Sequence, residues 1–185
     1  MKNIFSTYYF AYLKYLLFRD NKILINFYRK KGAKIGDSCA IYSPVITPES
    51  YLISIGDNVT IAPGVRFITH DNSISKIFPE FTDVFGCINI GNNCFIGANS
   101  TILPGVTLGN TCIVAAGSVV TKSFGDGEIL AGNPAKRISD IESYRKKVRP
   151  YCFSTKAMTE KEKNTHLRVR QTLEKRVLRE LGINV

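Results

Sequence analysis

Aliphatic residues recur at every sixth position along two long stretches of the chain. From Ile90, steps of six land on Ile96, Ile102, Leu108, Val114 and Val120. Earlier, Ile35 and Ile41 stand six apart, as do Ile55, Ile61 and Phe67. A second register lies four places further on and holds small residues: Cys39, Val45, Val59, Val65, Cys94, Ser100, Val106, Cys112 and Ser118. A helix repeats near 3.6 residues and a strand at 2, so neither gives a period of six. A coil of short strands joined by tight corners does, each six-residue unit forming one flat side with its aliphatic residue pointing inward. The interior of so narrow a prism is tight, and overpacking the fifth place costs roughly 1–3 kcal/mol per site. Gly, Asn and Asp cluster in "IGDN", "IGNN" and "LGNT", where corners need unusual backbone angles. Stacked coils then share one continuous core. The pattern therefore predicts an all-β solenoid.

The rhythm fails once on a large scale. Phe67 and Ile90 are 23 apart where one step is six, so 17 extra residues leave the prism. A loop of that length without a pattern of its own is usually functional. It carries His70, Asp71, Asn72, Phe78, Pro79, Phe81 and Phe85. His70 lies three residues past the last regular inward position, at the loop's root, where a stiff coil can hold an imidazole still. Histidine is the side chain suited to taking a proton from an alcohol near neutral pH.

Outside the coil the pattern changes. Residues 5–18, "FSTYYFAYLKYLLF", are apolar and aromatic, too short to span a bilayer and interrupted by Lys14. No small-residue cleavage site follows, which argues against a signal peptide. The stretch reads as a helix that packs on the body or lies at a membrane surface. In the tail, Thr159 and Glu162 form a capping-box pair. A helical stripe of Leu167, Leu173, Val177, Leu178 and Leu181 follows. The organisation is thus an N-terminal helical segment at 1–32, the coil at 33–138 with its loop at 68–88, and a basic helical extension at 139–185.

The net charge of +10 favours acidic partners. Much of it lies in the tail and at residues 29–34, so the coil has no basic stripe with interleaved aromatics, and nucleic acid is not expected as a partner. The tail reads either as a solvated helix face or as a peripheral contact with an anionic membrane. The five cysteines are odd in number and lack CxxC spacing, which argues against a disulfide framework and a zinc site. A cytoplasmic setting is expected. Cys39, Cys94 and Cys112 fall in the small inward register, where a free cysteine acts as a small hydrophobe. Two histidines cannot supply the three metal ligands of a γ-class carbonic anhydrase.

The hexads, "IGNNCFIGANSTILPGVTLGNTCIVAAGSVVTKSF" and "LAGNPAKRI" together resemble the left-handed β-helix acyltransferases. The resemblance is to the galactoside, maltose and nodulation-type O-acetyltransferases and those that modify surface polysaccharides, and it covers about residues 33–138. It implies a left-handed parallel β-helix, a homotrimer with sites shared between neighbours, and acetyl-CoA as co-substrate with no metal. The activity implied is transfer of acetyl to a hydroxyl of a sugar or polysaccharide precursor by direct attack on the thioester. An N-acetyltransferase of an amino sugar nucleotide and a purely structural solenoid are the alternatives. In the resemblance His70 is the general base, and the Ala98 N–H, after "FIG", is the oxyanion donor. Ala116, Thr121 and Lys122 form the pantetheine rim, with Asn133, Lys136 and Arg137 closing over the nucleotide. Asp71, Asn72, Phe85 and Phe95 fall to the acceptor. Phe95 stands where relatives have tryptophan. Residues 41–51, with Tyr42 and Ser43, do not reproduce the galactoside-holding pattern, so the acceptor is expected to differ from a simple galactoside.

Overall fold

The computed structural model describes residues 4–18, 20–43, 47–152, 154–155, 157–165 and 167–168. The chain divides into two units, residues 1–146 and 147–185.

The first unit opens on two helices, α1 (Ile4–Phe18) and α2 (Asn21–Lys30). Asp20 separates them because its carboxylate accepts from the Lys22 N–H at 2.9 Å and caps α2. Leu24, Ile25 and Tyr28 of α2 are buried in the core, as are Ala11 and Tyr15 of α1. Arg29 binds the first coil through its guanidinium, donating to Ile35 O at 2.7 Å and Gly36 O at 2.8 Å.

The six-residue sides then appear as strands that visit three sheets in turn, except that the first coil has no strand in the third sheet. β1 (Lys34–Ile35), β3 (Ile53–Ile55), β8 (Ile88–Ile90) and β11 (Thr107–Leu108) make the first sheet. β2 (Ala40–Ile41), β4 (Thr60–Ile61), β9 (Phe95–Ile96) and β12 (Ile113–Val114) run through the second. β5 (Arg66–Phe67), β10 (Thr101–Ile102) and β13 (Val119–Val120) make the third. These pairings are parallel, and in the later coils partners stand 18 apart, three sides to a turn: Phe95 faces Ile113 and Thr101 faces Val119. A hairpin of β14 (Glu128–Gly132) and β15 (Ala135–Asp140) closes the second sheet antiparallel. The Ile141 N–H donates to Gly127 O at 2.8 Å, so the first unit continues past the last hexad.

Every aliphatic residue of the sixfold register named above is buried. In the small register Val59, Val65, Cys94, Ser100, Val106, Cys112 and Ser118 are buried and Cys39 partly so, while Val45 lies outside the described residues. The thiols and the Ser100 hydroxyl of these slots find acceptors in the next coil, while the Ser118 hydroxyl bonds Ala115 O in its own. Cys39, Cys94 and Cys112 point their thiols at Gly56 O, Gly109 O and Gly125 O, at 3.1, 3.1 and 3.0 Å. The neighbouring Cys112 thiol and burial push the Cys94 thiol well above its ordinary range, so it is held as a neutral, packed group. One corner of each coil carries a side-chain ladder. Asp57 accepts from Asp37 N–H, Asn92 from Asp57 N–H, Asn110 from Asn92 N–H and Asp126 from Asn110 N–H, at 2.7–2.9 Å. The next residue in the ladder takes positive φ: Ser38, Asn58, Asn93 and Thr111.

The second unit begins at the end of α3 (Ile141–Val148). Its helical backbone at 160–165 starts on the expected capping box, with Glu162 accepting from the Thr159 N–H at 2.8 Å. Leu173, Val177, Leu178, Leu181 and His166 lie outside the described residues.

Candidate functional site

The 17 extra residues leave the coil on the edge between the third and first sheets. The insertion forms a short antiparallel hairpin, β6 (His70–Asp71) with β7 (Val84–Phe85), and a 3-10 turn at Ser73–Lys76 between them. His70 pairs directly with Phe85, and their rings stand 5.7 Å apart. The hairpin is pinned at its base, where Gly86 N–H donates to Thr69 O at 2.9 Å. Only glycine fits there, because a Cβ on Gly86 would lie 2.3 Å from Gly105 N, a backbone atom of the next coil.

Beneath His70 lies a residue the sequence reading did not single out. Glu49 Oε2 sits 2.9 Å from His70 Nδ1, and Thr69 and Thr47 donate hydroxyls to the same oxygen at 2.9 and 3.0 Å. The two threonine hydroxyls touch each other. The Glu49 side chain is 15% exposed and the His70 side chain 38%. Burial pushes the Glu49 carboxyl up, but hydrogen bonds from His70, Thr69 and Thr47 outweigh it and hold it below the usual carboxylate range. A carboxylate on Nδ1 fixes that nitrogen as the N–H, which leaves the Nε2 lone pair as the basic site. The signal for Glu49 was a smaller irregularity. Ile41 and Ile55 are 14 apart where two steps make 12, and the first coil runs 20 residues, as Ile35 facing Ile55 shows. One such turn back from His70 reaches the "PES" stretch containing Glu49.

The remaining candidates fall into two groups. Thr121 and Lys122 follow β13 on the same edge as the His70 hairpin; both are exposed, and Lys122 lies over the Phe124 ring at 5.6 Å. Asp71 and Asn72 are exposed on the hairpin, but both serve local turns. The Asp71 carboxylate accepts from Ser73 N–H, which lowers its pKa, and Asn72 O accepts from Ser75. Phe85 is exposed beside His70.

The second group lies on the edge between the second and third sheets. Ala98 and Ala116 stand in register there, one coil apart, each two places after an inward residue. Neither N–H has a backbone acceptor among the described residues, although Ala98 O accepts from Gly117 N–H at 2.8 Å. Asn133 follows in the β14–β15 turn, just before a cis proline, with Lys136 exposed on β15. Arg137 is also exposed, with Glu128 at 3.7 Å and Asp140 at 3.8 Å, loose pairs that leave it able to turn to another anion. Phe95 is half exposed on the outer face of the second sheet. Ser43, by contrast, is buried, its hydroxyl donating to Val65 O at 2.8 Å, so it supports the coil and offers nothing to an acceptor. Within one chain a whole side of the prism separates His70 from Ala98, on the order of 15–20 Å at about 3.3 Å per residue.

A three-sided parallel coil of six-residue sides, interrupted by one hairpin, places the chain among hexapeptide-repeat proteins. Residues 88–122 match the model of the hexapeptide repeat of succinyl-transferase. Protein CapG of Staphylococcus aureus is 49% identical over 145 residues, covering 75% of this chain and 84% of CapG. A solved galactoside acetyltransferase in complex with coenzyme A is 32% identical, with a TM-score of 0.51, over 60% of this chain and 56% of that one. A hexapeptide-repeat acetyltransferase from Vibrio cholerae shares the fold, with a TM-score of 0.59 at 22% identity over 74% of this chain and 89% of that one. The chain belongs to the hexapeptide-repeat acetyltransferases, acyltransferases whose co-substrate is acetyl-CoA.

Proposed function

We propose that this protein transfers an acetyl group from acetyl-CoA to a hydroxyl of a sugar or surface-polysaccharide precursor. The observation that carries the reading is the His70–Glu49 pair, 2.9 Å apart, at the root of the single extruded hairpin. Acetyl-CoA supplies an acyl carbon activated by its thioester. His70 Nε2 takes the proton from the acceptor hydroxyl, whose oxygen bonds to the acyl carbon as the carbon–sulfur bond breaks. The proton then passes to the departing sulfur. Glu49 holds the ring's tautomer and balances the positive charge that forms on it. The Ala98 N–H, which has no backbone acceptor among the described residues, is the oxyanion donor. Ala116, Thr121, Lys122, Asn133, Lys136 and Arg137 hold the coenzyme, the cations facing its phosphates. Phe85 beside His70, with Asp71, Asn72 and Phe95, lines the approach of the acceptor.

Because His70 and Ala98 stand on different edges of one prism, the working site combines the His70 edge of one copy with the Ala98 edge of another. A left-handed coil assembled as a homotrimer in the cytoplasm meets this requirement, and a galactoside acetyltransferase solved in complex with coenzyme A supports coenzyme binding by such a fold. The test is release of free thiol from acetyl-CoA by the purified protein across a panel of glycans, beside His70→Ala. Acceptor-dependent release that falls about 10²–10⁴-fold in the variant is expected. Mild base separates the ester product from an amide. No release with any glycan, or an unchanged rate without His70, contradicts the reading.

A further inference from the structure

We infer that helix α1 docks this protein on an anionic phospholipid surface, lying flat in the headgroup region. Among the described side chains of α1, the buried and the exposed ones separate along the helix. Ala11 and Tyr15 are buried, while Phe10, Leu13, Leu17 and Phe18 are 60%, 60%, 76% and 65% exposed, with Leu16 beside them. At 100° per residue, Phe10, Leu13, Leu16 and Leu17 fall within an arc of about 120°. So compact an apolar exposure on one helix marks an interaction surface.

Charge identifies the occupant. Residues 1–34 hold eight Lys and Arg against one acidic residue, Asp20, a net of +7. Residues 35–138 hold five against eight, a net of −3, so the coil itself is acidic. Lys14, Lys22, Lys30 and Lys31 are exposed on the helical pair, and Lys14 Nζ stands 4.6 Å over the Phe10 ring at the margin of the apolar arc. An apolar strip with a cation at its margin, on a helical pair of strongly positive charge, matches a bilayer surface of acyl chains beneath anionic headgroups. A second copy would bring like charge against like. Among the described residues no helix is long and apolar enough to cross a membrane, so the contact is one of lying on the surface. This inference does not depend on the reading of the catalytic site.

The chain contains no tryptophan, so Leu17→Trp places a single reporter at the most exposed position of the strip. With the full-length protein, its emission is expected to shift to the blue on adding vesicles of equal parts phosphatidylglycerol and phosphatidylcholine. Phosphatidylcholine alone should give no shift, and high salt should reverse it. In co-sedimentation, Leu13→Glu/Leu17→Glu is expected to lower vesicle binding about tenfold or more, with thiol release toward a soluble acceptor unchanged. An absent shift, or equal sedimentation of the double variant, overturns the inference. So does a double variant that changes the oligomer mass in light scattering while the wild type ignores vesicles, because the strip is then an interface between copies.

Discussion

Replacing Glu49 by Gln removes one charge and almost no volume from beneath His70. The carboxylate oxygen stands 2.9 Å from Nδ1, and the Thr47 and Thr69 hydroxyls bond the same oxygen. As His70 takes the acceptor proton, a positive charge forms next to Glu49. Two unit charges at that distance attract by about 6 kcal/mol at an effective dielectric of 20 and by about 1.5 kcal/mol in water. With the His70 side chain 38% exposed and Glu49 15%, the value lies between. Part of it is already present in the resting hydrogen bond. A loss of about 2–3 kcal/mol from the transition state is expected, or roughly 30–150-fold in kcat. Glutamine can also present its NH2 to Nδ1, favouring the tautomer that places the proton on Nε2. The KM for acetyl-CoA should hardly move, since Glu49 acts on the base. Steady-state thiol release measures both constants, and His70→Ala/Glu49→Gln completes a cycle. Once the imidazole is gone, Glu49→Gln should lower kcat no further. Full kcat in the single variant, or an equal additional loss in the double variant, would refute a role exerted through His70.

Other consequences follow from the same geometry. Ala98→Pro deletes the proposed oxyanion donor but keeps the corner, because Pro63 already occupies the equivalent place one coil earlier (Ile61 faces Ile96). It should lower kcat about 10²–10³-fold with an almost unchanged Tm, whereas an unaffected rate removes the Ala98 N–H from the chemistry. Thr111 is β-branched at φ 59°, where Asn58 and Asn93 hold the matching places in the ladder. Thr111→Asn should therefore stabilise the fold by about 0.5–1 kcal/mol in chemical denaturation. The Glu49 pKa is lowered on folding, so its contribution to stability is complete above 4.5 and is lost as pH falls through its lowered value. Wild type minus Glu49→Gln stability, measured against pH, should shrink as pH falls through that lowered value. Cys94→Leu overpacks a closed slot and should cost roughly 1–3 kcal/mol in the same assay.

The coil was legible because a narrow interior tolerates few errors. Ile96, Ile102 and Val114 are fully buried, and the small slots at Cys94 and Ser100 bond carbonyls of the following coil, so both registers are written into the sequence. The extruded hairpin was legible as a gap in that count, and His70 as the one imidazole at its root. Glu49 was not. Its partner is 21 residues away, and the two residues that lengthen the first coil look like ordinary loop variation until the turns are stacked. Helix α2 was obscured as well. Leu24, Ile25 and Tyr28 make only a short buried stripe, and the break at Asp20 appears only once its capping bond is seen. The separation of His70 and Ala98 on two edges emerged only from the strand register.

The most direct test is a crystal structure of the assembled protein with coenzyme A bound. The coenzyme sulfur is expected between two copies, near Ala98 of one and His70 Nε2 of the other. The gap should admit a single acceptor oxygen at about 3–3.5 Å from each reacting atom. A sulfur lying on an edge that no copy's His70 reaches would contradict this placement.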